Sequence, residues 1–82
     1  MNMNVKEELV KRFNITPDRF GSWQSDLYVL PIDDAEREEI KNFLDEIGRH
    51  YKEFRATNEW QGKTALDVFF ANDEFWDARN KK

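Results

Sequence analysis

His50 is the only imidazole in the chain, flanked by Arg49 and Tyr51, and the sequence has no cysteine. A general base or a metal ligand could be built on it. Carboxylates to share an ion would have to come from Asp67, Asp73, Glu74 and Asp77, which lie close in sequence. Metal-dependent nucleases and phosphatases need such acids to converge, often with a Lys or His nearby. Asp73 and Asp77 can share a helix face, but Asp73 and Glu74 diverge by about a quarter turn. Acids in the first turn of a helix are stabilising without an ion, and a His after a helix end is an ordinary capping charge. A solvated or capping role is the expectation for these residues. A small metal-dependent hydrolase or nuclease using Asp67, Asp73 and His50 is the alternative.

Other chemistry is thin. Without cysteine there are no disulfides, thiolate metal sites or Cys nucleophiles. Ser22 and Ser25 sit in no nucleophile elbow, and no second His could activate them. Gly21, Gly48 and Gly62 are scattered, so no phosphate-cradling loop or dinucleotide fingerprint is formed, and the calcium-loop signature is absent. Asp26 and Glu59 with Lys63 are mis-spaced for a nuclease core. No catalytic, metal or cofactor-binding residue is assigned, and no cofactor is expected.

The aromatics are more informative. Three Trp, seven Phe and two Tyr make up 15% of the chain. Phe43, Phe54 and Phe70 fall on expected core faces. Trp23, Tyr28, Trp60, Phe69 and Trp76 are hard to bury together in so small a domain. Large side chains with an apolar body and a polar tip are enriched at binding hot spots. The candidate partner contacts are therefore Phe69, Trp60, Trp23 and Trp76, with Asp67 and Glu59 beside them. Phe69 leads because it alone breaks the polar face of its hairpin.

The elements that must hold these residues come from 82 residues, enough for a single compact domain over 1–82. Asn4 can cap a helix over 4–13, with Val5, Leu9 and Phe13 on one face and Glu7–Lys11 and Glu8–Arg12 as favourable pairs. Thr16 and Pro17 start a single turn over 17–20 that Gly21 can close. Ser25–Leu30 is the first strand, ended by Pro31 and apolar on both faces. Asp34–Gly48 is a helix. Asp33 with Glu36 resembles a capping box, Ile40, Phe43, Leu44 and Ile47 form its stripe, and Asp33–Arg37 and Asp45–Arg49 are its pairs. Leu27 and Val29 are expected beneath that stripe, with Tyr28 facing the first or last helix and Asp26 at the strand mouth accepting hydrogen bonds.

Residues 51–70 read as a hairpin about Gln61-Gly62-Lys63. A three-residue turn gathers Phe54, Ala56, Trp60, Leu66, Val68 and Phe70 on one face, and Arg55, Thr57, Glu59, Asp67 and Phe69 on the other. That partition is cleaner than the one a two-residue turn produces, so it is the expected register. Asn72 caps a last helix to Arg79, and the final three residues are expected to fray. The fold class is α+β, a small three-stranded mixed or antiparallel sheet packed with helices in the order α-β-α-β-β-α.

Thirteen basic and 17 acidic residues leave a net charge of -4. Acids and bases alternate, so there is no basic stripe for nucleic acid. No stretch approaches the ~20 apolar residues of a membrane span, and M-N-M-N-V-K-E-E lacks an apolar signal core. A cytoplasmic location in a bacterial host cell is expected.

Two stretches carry a resemblance. Residues 15–30, I-T-P-D-R-F-G-S-W-Q-S-D-L-Y-V-L, and Asp67–Trp76, D-V-F-F-A-N-D-E-F-W, are similar to small uncharacterised bacteriophage and mobile-element accessory proteins with an S-D-L-Y-V strand and a C-terminal D-x-F-W ending. The resemblance implies a bacterial or phage origin and transfers no functional residue. The expectation is a non-enzymatic interaction module that binds a host or phage protein, with no direct nucleic-acid or membrane partner, as a monomer or homodimer. An acidic inhibitor such as an anti-CRISPR or antirestriction protein is a special case, with carboxylates occupying a basic groove. A structural homodimer is the remaining alternative.

Overall fold

A computed structural model describes residues 4–57 and 59–80. Helix α1 spans Val5–Phe13. The Asn4 side chain accepts the Glu7 N–H at 2.9 Å, and Asn14, left-handed at φ +56°, stops the helix. A 3-10 turn, Pro17–Arg19, leads into strand β1, Phe20–Trp23, and then β2, Asp26–Val29. Helix α2 runs Asp34–Glu46, followed by β3 at Tyr51–Arg55, β4 at Thr64–Val68 and α3 at Asp73–Asn80. The expected fraying at 81 and 82 lies outside the described residues, and Asn80 closes α3.

The sheet has four strands in the order β1-β2-β4-β3, each neighbour pair antiparallel. The class is the expected α+β, with one strand more than anticipated. β1 is the addition. Phe-Gly-Ser-Trp has no alternation of its own, and it becomes a strand by pairing with β2 across the two-residue Gln24-Ser25 turn. Gly21 therefore lies inside a strand and does not close the preceding turn. β2 and β3 both run antiparallel to β4, so they are parallel to each other with β4 between them. The α2 crossover joins strands that are not neighbours.

α2 starts and stops by local chemistry. Asp33 accepts the Glu36 N–H at 2.8 Å. Gly48 at φ +71° closes a Schellman motif in which Arg49 N–H meets Leu44 O at 2.9 Å and Gly48 N–H meets Asp45 O at 3.1 Å. The helix thus ends at Glu46, before the Gly48 anticipated. Arg37 pairs with Asp34 at 2.7 Å, leaving Asp33 to its capping role. The Glu8–Arg12 pair forms at 3.6 Å.

Ile40, Phe43 and Leu44 cover Leu27 and Val29 as anticipated, and Leu66, Val68, Val5, Leu9, Ile15 and Ala71 join that inner cluster. The register of the last hairpin differs from the expectation. Phe54 stands opposite Ala65 and Tyr51 opposite Val68, and the pairing ends with Arg55 opposite Thr64. Leu66 and Val68 face α2, whereas Phe54, Ala56 and Trp60 pack with Leu30 and Ala65 on the other face. The partition argument assumed one polar face, and here both faces are covered over part of the sheet. The connection folds back on itself. Ala56 N–H bonds Lys63 O at 2.9 Å, and Gly62, at φ +82°, bonds Ala56 O at 3.1 Å. Trp60 then lies over Gly21, where an added Cβ would stand 3.4 Å from its ring. Among the described residues Tyr28 packs on this outer cluster and not on the first or last helix. Its ring is 4.9 Å from that of Phe54.

Candidate functional site

One end of the sheet gathers the chain's exposed aromatics. The turn between β1 and β2 is bonded to the segment after β4. Asn72 N–H donates to Ser25 O at 3.0 Å, and the Asn72 amide donates to Gln24 O. Asp26 Oδ1 accepts the Phe70 N–H at 3.2 Å. Trp23 stands opposite Asp26 in the sheet, and Trp76 N–H bonds Asn72 O at 3.3 Å. Trp23 is 64% exposed, Phe70 62% and Trp76 37%.

Phe70 is the unusual member. Its φ of +56° lies in the left-handed region that a bulky residue seldom adopts. Both of its backbone groups are held, the N–H by Asp26 and the C=O by Arg49 Nη1 at 3.3 Å. Backbone strain retained with a large apolar side chain in solvent is a pattern associated with function.

The expected contact residues divide. Trp23, Trp76 and Glu59 are exposed. Trp60 is buried in the outer cluster and Asp67 is 7% exposed, so neither offers a contact surface. Phe69 is half-buried with its N–H on His50 O at 3.0 Å. The exposed position is its neighbour Phe70. β4 ends at Val68, so the alternation used to place Phe69 does not extend to either residue. The bond to Asp26 that turns Phe70 outward spans 44 residues and leaves no local signal.

Asp67 is instead the buried member of a polar row across the outer face. It stands opposite Tyr28 on one side and Lys52 on the other. Burial, and then a hydrogen bond and like charge from Asp26, push its carboxyl up to about 6, against a weaker opposing pull from Lys52. The Tyr28 hydroxyl is pushed up by burial and by Asp67 and Asp26. The structure does not join Asp67, Asp73 and His50. Among the described residues, no three His, Cys, Asp or Glu side chains are placed to hold one ion.

Two open grooves flank the sheet. One, of about 760 Å³, lies between α1, β1 and the start of α3. The other, of about 500 Å³, is lined by Arg19, Pro31, Ile32 and Lys63 among others. No helix among the described residues is long and apolar enough to cross a membrane.

Fold and surface define a small α+β domain, a four-stranded antiparallel sheet with an aromatic end. No protein-family model matches the chain, and no curated protein or solved structure is significantly similar to it.

Proposed function

We propose that the chain is a non-enzymatic protein-interaction module of bacterial or phage origin, whose partner seats on Trp23 and Phe70. The supporting observation is Phe70, held left-handed by Asp26 and Arg49 while its ring stays in solvent. Core formation gains little from a ring so exposed, and an exposed aromatic on a rigid backbone loses little entropy on binding. Trp23 adds a second anchor at the same end of the sheet.

Affinity capture from bacterial lysate tests the reading. Wild type, Phe70→Ala and Trp23→Ala are compared at matched thermal midpoints. The expected result is a protein retained by wild type and depleted by both substitutions. Identical capture profiles for all three overturn it.

A further inference from the structure

The sheet has two edges, and they are defended differently. β3 carries exposed Lys52, Glu53 and Arg55, and Glu53 is tied to Arg37 at 3.2 Å and Lys41 at 3.1 Å. Charges along an edge are a common guard against addition of another strand. β1, at the other edge, is Phe20-Gly21-Ser22-Trp23 and carries none.

The register says which β1 groups are free. A two-residue turn makes Trp23 and Asp26 a hydrogen-bonded pair. Alternation then makes Gly21 with Tyr28, and Arg19 with Leu30, the next such pairs. The last is visible as Leu30 N–H to Arg19 O at 2.8 Å. Phe20 and Ser22 therefore turn their backbone groups away from β2. The Phe20 N–H is engaged by Pro17 O. The Phe20 carbonyl and both backbone groups of Ser22 have no backbone partner among the described residues.

We infer that β1 is a docking strand, to which an extended segment of a partner protein adds antiparallel as a fifth strand. Two bonds are exchanged with Ser22, and a third is donated to the Phe20 carbonyl. This rests on the interaction-module reading and names the edge and the chemistry that reading would use. A second copy of the chain fits less well. Two β1 strands centred on Ser22 would set Phe20 opposite Gln24, where the chain has turned at φ +52° and Asn72 already holds the carbonyl.

The groove beside β1 sets the segment's side chains. Phe20 and Ser22 face the α2 side of the sheet, so residues opposite them point into the groove. Phe20 and Val10 make an apolar lining. Lys6 lies over the Phe20 ring at 5.3 Å, and Asp73 and Glu74 line the groove at the start of α3, next to the β1–β2 turn. Antiparallel addition therefore favours, from N to C terminus, a basic residue, any residue, an apolar residue opposite Ser22, any residue, and an acidic residue opposite Phe20 beside Lys6.

The probe is the capped peptide Thr-Lys-Thr-Ile-Thr-Glu-Thr, set against its charge-reversed isomer Thr-Glu-Thr-Ile-Thr-Lys-Thr. On saturation of the wild type with the first peptide, the Ser22 amide should exchange about tenfold more slowly. The isomer should bind about tenfold more weakly. Ser22→Pro, which removes an N–H that faces away from β2, should lose binding to the same degree. The amide measurement needs no variant, so it stands even if Ser22→Pro fails to fold. Unchanged Ser22 exchange, equal binding of the two isomers, or no binding overturns the inference. So does a dimer in sedimentation whose Ser22 amide is protected without peptide, which assigns the edge to self-pairing. A captured protein that is lost with Phe70→Ala but kept with Ser22→Pro overturns strand docking alone. Identical capture by wild type and Phe70→Ala overturns the interaction reading instead.

Discussion

The Asp26 carboxylate and the Phe70 backbone meet across 44 residues of sequence, with Oδ1 accepting the N–H at 3.2 Å. Arg49 holds the Phe70 carbonyl at 3.3 Å. Between these two bonds the chain turns left-handed and the ring is pushed into water. The first residue of β2 thus decides the orientation of a residue two places beyond the last strand.

Phe70→Gly separates strain from contact. Glycine adopts φ +56° without a Cβ penalty, and the ring contributes little burial. The variant should be neutral or more stable, by up to about 1 kcal/mol, in urea denaturation. Partner capture should fall together with that of Phe70→Ala. A loss of more than about 2 kcal/mol would instead make the ring a core residue.

Asp67 should make stability fall as pH rises. Its folded carboxyl holds a proton to about 6, whereas the unfolded group releases it near 3.8. Between those values the folded state binds more protons, so raising the pH favours unfolding. Asp67→Asn keeps a neutral group beside Asp26. Relative to wild type it should gain about 1–3 kcal/mol between pH ~4 and pH ~7. Urea denaturation across that range reads the difference directly, and a constant difference removes the acid-pair account.

Arg19 links the start of β1 to α2. Its Nη2 pairs with Glu36 and its Nε donates to Leu30 O at 2.9 Å, while Glu36 also accepts the Ile32 N–H at 3.0 Å. Both side chains are largely buried. Arg19→Ala should destabilise by about 1–3 kcal/mol, since it strands a largely buried carboxylate. Arg19→Met combined with Glu36→Gln should lose less than the two single changes together. Additive losses in chemical denaturation would show that the pair is not coupled.

Val29 and Tyr28 are adjacent but sit in different environments. Val29 is fully buried under α2, and Val29→Ala should cost about 1–3 kcal/mol. The Tyr28 hydroxyl makes no hydrogen bond within the described residues, and the ring packs on Phe54. Tyr28→Phe should therefore stay within about 0.5 kcal/mol of wild type. Thermal denaturation of the two variants side by side checks the contrast.

The sequence by itself determined what depends on neighbours a few residues away. Asn4 and Asp33 cap their helices, and the stripe from Ile40 to Ile47 marks the face that covers Leu27 and Val29. These are bonds and contacts within one or two turns, so residue type and spacing carry them. The α+β class followed from the order of such segments. Tertiary structure decided the rest. β1 is a strand only because β2 lies beside it, with Tyr28 opposite Gly21. The last hairpin took the register that set Ala56 and Phe54 on the outer face, because Trp60 folds back to cover them and removes the polar side on which the period-2 argument depends. Asp67 reads as a surface acid and is buried in the central strand between Tyr28 and Lys52. Phe69 and Phe70 are chemically equivalent and consecutive, and nothing local distinguishes them. A hydrogen bond from the Phe70 N–H to Asp26, far away in sequence, turns one ring into solvent and leaves the other half-buried.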